Sequence, residues 1–230
     1  HPMVTGQQTC DFDLYTAENS KLITLWGKNW IATKMPDGHW LTEAKLHGAK
    51  VITIAPEYQS ASSKADEVII IRPGHDAAFS MGLAHVIIKE RLYNEEFIKN
   101  RTEGFEALAR HVEIYTPEYA AEVSGLNAED IVATAREYAA ASPKAAVCYT
   151  VGITEHSCGT HNVQAIANLA MLCGNFGVPN SGVNPLRGQN NVQGTGDMGA
   201  IPTDLPGYQK LEKPEVRAKF EKAWGVTLPK

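Results

Sequence analysis

Short apolar runs alternate with longer amphipathic stretches over the first part of the chain. The runs occupy residues 21–27, 51–56, 67–73 and 145–151. They consist mostly of Val, Ile, Leu and Ala without a regular polar alternation, which is typical of strands buried on both faces of a parallel sheet. The pattern therefore predicts four parallel strands.

Helical periodicity fills the intervals between these runs. A first helix is predicted at residues 37–47, because Pro36 precedes it and Gly48 ends it. Further helices are predicted at residues 76–91 and 162–174, and the interval 94–141 has a helical pattern throughout. Strands that alternate with helices imply right-handed crossovers, so we expect an α/β fold with a doubly wound parallel sheet.

The segment at residues 184–199 has a different character. Its sequence, NPLRGQNNVQGTGDMG, fits neither the helical period nor strand alternation, and it contains four glycines. Ordering so polar and flexible a segment costs conformational entropy, so we expect a bound ligand to order it. Arg187 offers a planar fork that suits a carboxylate or a phosphate. A long surface turn is the alternative interpretation.

Composition and charge exclude several classes of protein. The chain has 230 residues, a net charge of -5 and 43% hydrophobic residues, which is ordinary for a globular protein and gives no basic face for nucleic acid. No apolar run approaches the roughly 20 residues that a membrane span needs. The N-terminus has no signal-peptide pattern, so we expect a cytoplasmic protein, with the periplasm as the alternative.

The cysteines and histidines predict no metal site within the chain. None of the four cysteines belongs to a C-x-x-C pair, which excludes a self-contained iron–sulfur site of the usual kind. Cys148 and Cys173 lie in apolar runs and are expected to be buried. The spacing of His156, Cys158 and His161 matches no standard zinc pattern.

Polar or glycine-containing segments follow the predicted strands. They occupy residues 27–29, 56–58, 72–76 and 152–156. Ligands of open parallel sheets bind beyond the carboxyl ends of the strands, so these segments form the candidate ligand site. No G-x-G-x-x-G pattern follows any of the strands, which argues against a nicotinamide dinucleotide.

The segment around Arg187 resembles the signature of molybdopterin-dependent formate dehydrogenases, in the dimethyl sulfoxide reductase superfamily. The resemblance covers nearly the whole chain and includes residues 48–52, 101–106, 115–118, 151–156, 169–177, 183–194 and 222–226. It implies a Rossmann-like domain with a short C-terminal appendage. It also implies molybdopterin guanine dinucleotide with Mo or W as the cofactor, and formate or another small anion as the substrate.

The same resemblance assigns cofactor-binding residues at the strand ends. It implies nucleotide contacts for Gly27, Asn29, Pro56, Glu57, Gly74 and Asp76, pterin contacts for Gly152 and Thr154, and further cofactor contacts for Glu155 and Asn190. From the residues alone, Asp76 is also explained as a first-turn acid of its helix, and Glu155 as part of a solvated strand end.

Arg187 and Gln189 are the catalytic residues that the resemblance implies. A guanidinium group fixes a carboxylate through two hydrogen bonds and offsets its charge during oxidation. The resemblance assigns this role to Arg187, and it assigns Gln189 to orienting the pterin or the substrate. The metal cofactor accepts the electrons.

Residues 25–58 resemble instead the respiratory nitrate reductases of the same superfamily. Formate dehydrogenases usually have Gly-x-Asn-Pro after the first strand and Asp-Pro-Arg after the second, whereas this chain has Gly27-Lys-Asn-Trp30 and Ala55-Pro-Glu57. Glu57 would then replace the aspartate that contacts guanine. A nitrate or sulfur-oxyanion reductase is therefore the alternative activity.

Several parts of such an enzyme have no counterpart in the sequence. The resemblance implies a cysteine cluster for a 4Fe-4S centre and a Cys or selenocysteine ligand to the metal, and neither is found. We expect a fragment that is inactive alone, with residues 1–189 as the dinucleotide-binding domain and 190–230 as the incomplete start of its neighbour. The expected partners are the remainder of the catalytic subunit and electron-transfer subunits. A stand-alone pterin-binding module is the alternative.

Overall fold

The structure, a computed structural model, describes residues 2–5, 13–189, 191–201 and 203–229. The strands of its main sheet are β1 (Leu22–Trp26), β2 (Lys50–Ala55), β3 (Glu67–Ile70), β4 (Ala145–Tyr149) and β5 (Gly182–Pro185). Their order is β3-β2-β1-β4-β5, and every neighbouring pair is parallel. The central strand β1 aligns Trp26 with Ile54 on one side and with Tyr149 on the other.

Helices connect the strands and continue beyond the sheet. The α-helices are α1 (Pro2–Thr5), α2 (Trp30–Thr33), α3 (Gly38–Leu46), α4 (Asp76–Lys89), α5 (Glu95–Arg101), α6 (Phe105–His111), α7 (Pro117–Ser124), α8 (Ala128–Ala141), α9 (Val151–Thr154), α10 (Gly159–Leu172), α11 (Val192–Asp197) and α12 (Pro214–Trp224). Short 3-10 helices lie at Leu14–Asn19, Met35–Asp37, Ser60–Lys64 and Val112–Ile114. Among the described residues, no helix has the length and apolar character to cross a membrane.

Two apolar cores lie on opposite faces of the sheet. Side chains alternate along a strand, so β1 buries Leu22 and Trp26 in one core and Ile23 and Leu25 in the other. The first core is covered by α4, α8 and α10, and the second by α3 and the 3-10 helix Leu14–Asn19. The predicted doubly wound parallel sheet with helices on both faces is confirmed.

The fourth strand ends earlier than the sequence predicts. It was expected to reach residue 151, but β4 ends at Tyr149 and Val151–Thr154 forms the helical turn α9. The neighbouring strand β1 turns away at Gly27, whose φ is 58°. Beyond Tyr149 the chain therefore has no ladder partner on that side to keep it extended. The prediction that both cysteines of the apolar runs are buried is confirmed for Cys148 and Cys173.

The prediction that residues 184–199 contain neither strand nor helix is wrong. Gly182–Pro185 forms the edge strand β5, in which Asn184 pairs with Cys148 of β4. This pairing uses main-chain hydrogen bonds, which need no apolar pattern in the sequence. The Asn184 side-chain amide donates to the Ser181 carbonyl at 3.3 Å. Helix α11 follows because the Asn191 side chain caps it, accepting from the Gly194 amide at 3.1 Å.

Residues 189–230 form a second compact unit, and residues 1–188 form the first. The second unit contains α11, α12 and a hairpin of two short antiparallel strands, β6 (Asp204–Leu205) and β7 (Gln209–Lys210). Phe220 is buried and packs on Trp224, with 4.9 Å between the ring centroids. This unit is the predicted short C-terminal appendage, and the role of each unit stays a prediction.

Candidate functional site

A crevice of about 310 Å³ opens at the carboxyl ends of the parallel strands. This volume lies in the range of small-molecule sites, about 300–1,000 Å³. The crevice adjoins the ends of β1 and β4, where the strand order reverses direction, and such a switch point is where open α/β sheets bind ligands. Five of its lining residues are among those expected from the sequence: Gly27, Pro56, Asp76, Gly152 and Glu155.

Gly27 and Gly152 bring two main-chain segments together at the crevice. A Cβ atom on Gly152 would lie 2.6 Å from the carbonyl oxygen of Gly27 and 2.9 Å from its Cα, closer than real Cβ atoms come. Gly27 also has a positive φ of 58°, which an L side chain rarely adopts. Only glycine fits at both positions, and the crevice is therefore walled there by bare main chain.

Asp76 places a buried carboxyl group in the crevice. It is the first residue of α4, and the side chain is 6% exposed. The indole Nε1 of Trp26 donates to its Oδ1 at 2.8 Å. Burial raises the pKa of Asp76 above its usual value, and the hydrogen bond from Trp26 and the nearby charges of His156 and His75 only partly oppose this. The first-turn position that the sequence indicated is therefore correct, but the side chain faces a crevice as well.

The raised pKa of Asp76 implies that the free energy of unfolding depends on pH. Because the folded state holds this proton more tightly than the unfolded state, the contribution of Asp76 to the free energy of unfolding is largest at acid pH. It falls as the pH rises from the unfolded value of 3.8 through the folded pKa. The substitution Asp76→Asn removes this titration, so the stability of the variant relative to the native chain is expected to rise with pH. Urea unfolding at pH 3.5 and at pH 7 measures the difference.

Asp66 is the matched control, because its pKa shifts in the opposite direction. Burial acts to raise the pKa of Asp66, but hydrogen bonds from Lys45 and from the Val51 amide hold it below its usual value. Its ionised form stabilises the fold, so this contribution is present above the unfolded pKa and disappears as the pH falls through the folded pKa. Asp66→Asn is therefore expected to lose stability at pH 7. A loss at pH 7 in both variants would contradict the account of Asp76.

Four further candidates lie outside the crevice lining. Asn29 caps α2, and its Oδ1 accepts from Ser60 Oγ at 2.8 Å and from the Ala61 amide at 3.2 Å, so this side chain ties together the loops after β1 and β2. Glu57 is exposed. The carbonyl of Gly74 lies 3.9 Å from Cys158 Sγ, and Thr154 is half-buried at the end of α9. The candidate Asn190 lies outside the described residues.

Residues 186–188, the Arg187 segment, leave the sheet at the same edge as the crevice. Leu186 follows β5 directly, is 6% exposed, and its amide donates to the carbonyl of Tyr149 at 2.8 Å. This hydrogen bond extends the pairing of β5 with β4 by one residue. It therefore fixes the main chain immediately before Arg187. Arg187 is half-buried, and Gln189 is exposed as the first residue of the second unit.

The sequence reasoning missed part of the crevice wall. The lining residues outside the candidate segments are Ile54, Ala55, Ile71 and Val151, whereas Pro73 and His156 lie within those segments but were given no individual role. Their place in the sequence could have indicated them, because each lies at or just beyond the carboxyl end of a strand. Since a carbonyl oxygen only accepts, His156 Nε2 donates to the Gly152 carbonyl at 2.9 Å, and this hydrogen bond holds the end of α9. Across the described ranges, no group of three or more His, Cys, Asp or Glu side chains forms a metal site.

Comparison with known proteins places this geometry in a family. The family model for molybdopterin oxidoreductases matches residues 3–224. The chain is 44% identical over 211 residues to the F420-dependent formate dehydrogenase 1 subunit alpha of Methanococcus maripaludis, covering 92% of this chain and 31% of that protein. It is 42% identical over 213 residues to formate dehydrogenase H of Escherichia coli, covering 92% of this chain and 30% of that protein.

A solved structure supports the same relationship. The chain superposes on acetylene hydratase from Pelobacter acetylenicus with a TM-score of 0.64 and 26% sequence identity, covering 71% of this chain and 24% of that one. This chain thus spans about a third of the length of the formate dehydrogenase subunits that it matches. Since the family match covers both compact units and the crevice lies at the switch point of the sheet, the chain belongs to the molybdopterin oxidoreductase family.

Proposed function

We propose that this chain forms the dinucleotide-binding part of a catalytic subunit that oxidises formate to carbon dioxide. The observation that carries the proposal is the shared position of the glycine-walled crevice and the Arg187 segment at the carboxyl edge of one parallel sheet. The similarity to proteins named as formate dehydrogenases supports formate as the substrate. The remainder of the catalytic subunit and electron-transfer subunits are the proposed partners.

We propose that the crevice receives part of the dinucleotide of a molybdopterin cofactor. The bare main chain of Gly27 and Gly152 leaves room for close approach of a ligand, as phosphate and pterin contacts to main-chain amides require. Asp76 offers carboxylate oxygens, and guanine presents N–H donors on its edge. We therefore propose the guanine dinucleotide form, with Mo or W as the metal. Glu57, exposed after β2, is the second acceptor proposed for guanine.

Arg187 is proposed to bind the carboxylate of formate. Its guanidinium donates two parallel hydrogen bonds to the two oxygens, which directs the C–H bond away from the arginine. Formate then loses its C–H bond and leaves as CO2, releasing one proton and two electrons. When bound, the molybdopterin centre supplies the acceptor for these two electrons. The fixed cation lowers the cost of holding an anion in a site that excludes water.

Gln189 is proposed to act beside Arg187. Its amide can donate and accept at once, which suits a group that orients a pterin nitrogen or a substrate oxygen. The other contacts proposed for the cofactor are those of Asn29, Pro56, Gly74, Thr154, Glu155 and Asn190. Asn29 has its Oδ1 engaged by Ser60 and Ala61, so we assign it to shaping the loops that surround the nucleotide.

A nitrate or sulfur-oxyanion reductase is the second candidate function. The feature that favours it is the stretch after β1 and β2, where Trp30 and Glu57 stand in positions that formate dehydrogenases usually give to proline and arginine of their signature motifs. The metal ligand in the remainder of the subunit separates the candidates. Cys or selenocysteine favours formate, Asp favours nitrate, and Ser favours S- or N-oxides.

Assay of the full-length enzyme that contains this chain tests the proposal. We expect formate-dependent reduction of an artificial acceptor dye, and no oxidation of the reduced dye by nitrate. Acid release is expected to yield guanine nucleotide, and elemental analysis to yield Mo or W. Oxidation of the reduced dye by nitrate, with no reaction toward formate, would replace the first candidate by the second.

A further inference from the structure

Lys28 is a buried lysine directly after the central strand. It follows Gly27, and its side chain is 0% exposed. Within the described ranges no carboxylate forms an ion pair with it. Removing an ammonium group from water costs several kcal/mol unless partners compensate, so a lysine in such a position requires an explanation.

The partners of Lys28 connect two separate parts of the sheet. Its Nζ donates to Thr33 Oγ1 at 2.6 Å and to the main-chain carbonyl of Arg187 at 3.4 Å. The Thr33 hydroxyl uses its own hydrogen on the Asn29 carbonyl at 2.9 Å, so it can only accept from Lys28. Strands β1 and β5 are separated by β4, and the lysine therefore reaches across the end of β4.

We propose that Lys28 is a positioning residue for Arg187, which holds the turn after β1 and the segment after β5 in one arrangement through the Arg187 carbonyl. The proposal rests on the function proposed for Arg187. A guanidinium fork acts only when its two N–H groups face the substrate oxygens, and a displacement of about 1 Å can cost about 10²-fold in rate. An ammonium anchored on Thr33 fixes the main chain from which that fork extends.

The charge of Lys28 is sensitive to alkaline pH. Burial, and to a lesser extent the charge of Lys34, lower the pKa of Lys28 to about 8, while Cys148 of β4 acts in the opposite direction. The ionisable groups that act on the lysine are thus Lys34 beyond α2 and Cys148 on β4, and Arg187 contacts it through its main-chain carbonyl. Below this pH the ammonium is present and its hydrogen bond is charge-assisted; above it the amine is neutral and the bond weakens. The position of Arg187 is therefore expected to loosen as the pH rises through about 8.

Three variants of the full-length holoenzyme test the proposal. Lys28→Met keeps the apolar stem and removes the ammonium, and we expect kcat/KM for formate to fall about 10–100-fold at pH 7. Lys28→Arg keeps the charge at alkaline pH, so the variant should recover activity and lose the decline above pH 8 that the native enzyme shows. Lys34→Gln is the matched control, because it removes a positive charge that repels the Lys28 ammonium. We expect kcat/KM for formate at pH 7 to be unchanged, and the fall in activity at alkaline pH to begin at a higher pH.

A readout that needs no turnover separates this proposal from the proposed function. Amide hydrogen exchange at residues 186–189 is expected to accelerate severalfold in Lys28→Met, because the variant loses the hydrogen bond from the ammonium to the Arg187 carbonyl. Faster exchange in an enzyme that does not oxidise formate would refute the function and retain the positioning role. If Lys28→Met exchanges its amide hydrogens at residues 186–189 at the native rate and keeps the native pH dependence of kcat/KM, the role of Lys28 is overturned. If that variant does not fold, Thr33→Val, which removes the accepting hydroxyl, is measured in the same way.

Discussion

Replacing Arg187 by lysine in the full-length enzyme is expected to lower kcat/KM for formate about 10²–10³-fold, the loss typical of removing one charged or donor group that stabilises the transition state. Lysine keeps the positive charge but has no planar fork, so it cannot hold both oxygens of formate in one orientation. The main chain before Arg187 is held in place, because the Leu186 amide donates a hydrogen bond to the Tyr149 carbonyl on β4. The variant should therefore retain its metal and pterin content.

Arg136→Lys is the control for this substitution. Arg136 makes a two-point pair with Glu90 on the surface, at 2.9 Å and 2.7 Å, far along the chain from the Arg187 segment. Solvent screens exposed pairs of this kind, so they contribute little to stability, and activity should be unchanged. Near-native formate oxidation by Arg187→Lys at full metal loading would show that the assigned role is wrong. The nitrate-reductase features after β1 and β2 would then take precedence.

Gly152→Ala is expected to lower the cofactor content of the full-length enzyme, because the new Cβ would meet the main chain of Gly27 at 2.6 Å. Main-chain atoms cannot rotate away, so the ends of β1 and β4 must separate at a cost of about 1–3 kcal/mol. The crevice is built on this contact, so we expect about a tenfold or larger loss in cofactor affinity, since 1.4 kcal/mol corresponds to tenfold. Guanine nucleotide released per protein measures it.

Gly38→Ala is the matched control. A Cβ on Gly38 meets only the end of the flexible Ile31 side chain, at 3.3 Å, and Gly38 begins α3, where alanine is favourable. Cofactor content should stay at the native level in this variant. Full cofactor loading in Gly152→Ala would show that the close approach of the two glycines is not needed for binding.

The strands and the edge that bears the site were predictable from local patterns. Continuous apolar runs marked β1 to β4, and parallel strands direct all their carboxyl ends to one edge, so Gly27, Asp76 and Gly152 were expected near one another. The strand β5 was not predicted, because Val183 and Asn184 form no apolar run. An edge strand is held by main-chain hydrogen bonds to its neighbour, and these leave no mark in side-chain periodicity.

What the sequence by itself determined is the fold class, the family resemblance and the set of segments that surround the crevice. Only the tertiary structure decided the strand order, and with it the contact between Gly27 and Gly152 across more than a hundred residues of chain. It also decided the burial of Lys28, since a lysine after a strand normally keeps its charge in water. The physical reason is that helix and strand patterns arise from neighbours along the chain, whereas long-range packing decides which strand ends meet and which polar groups lose contact with water.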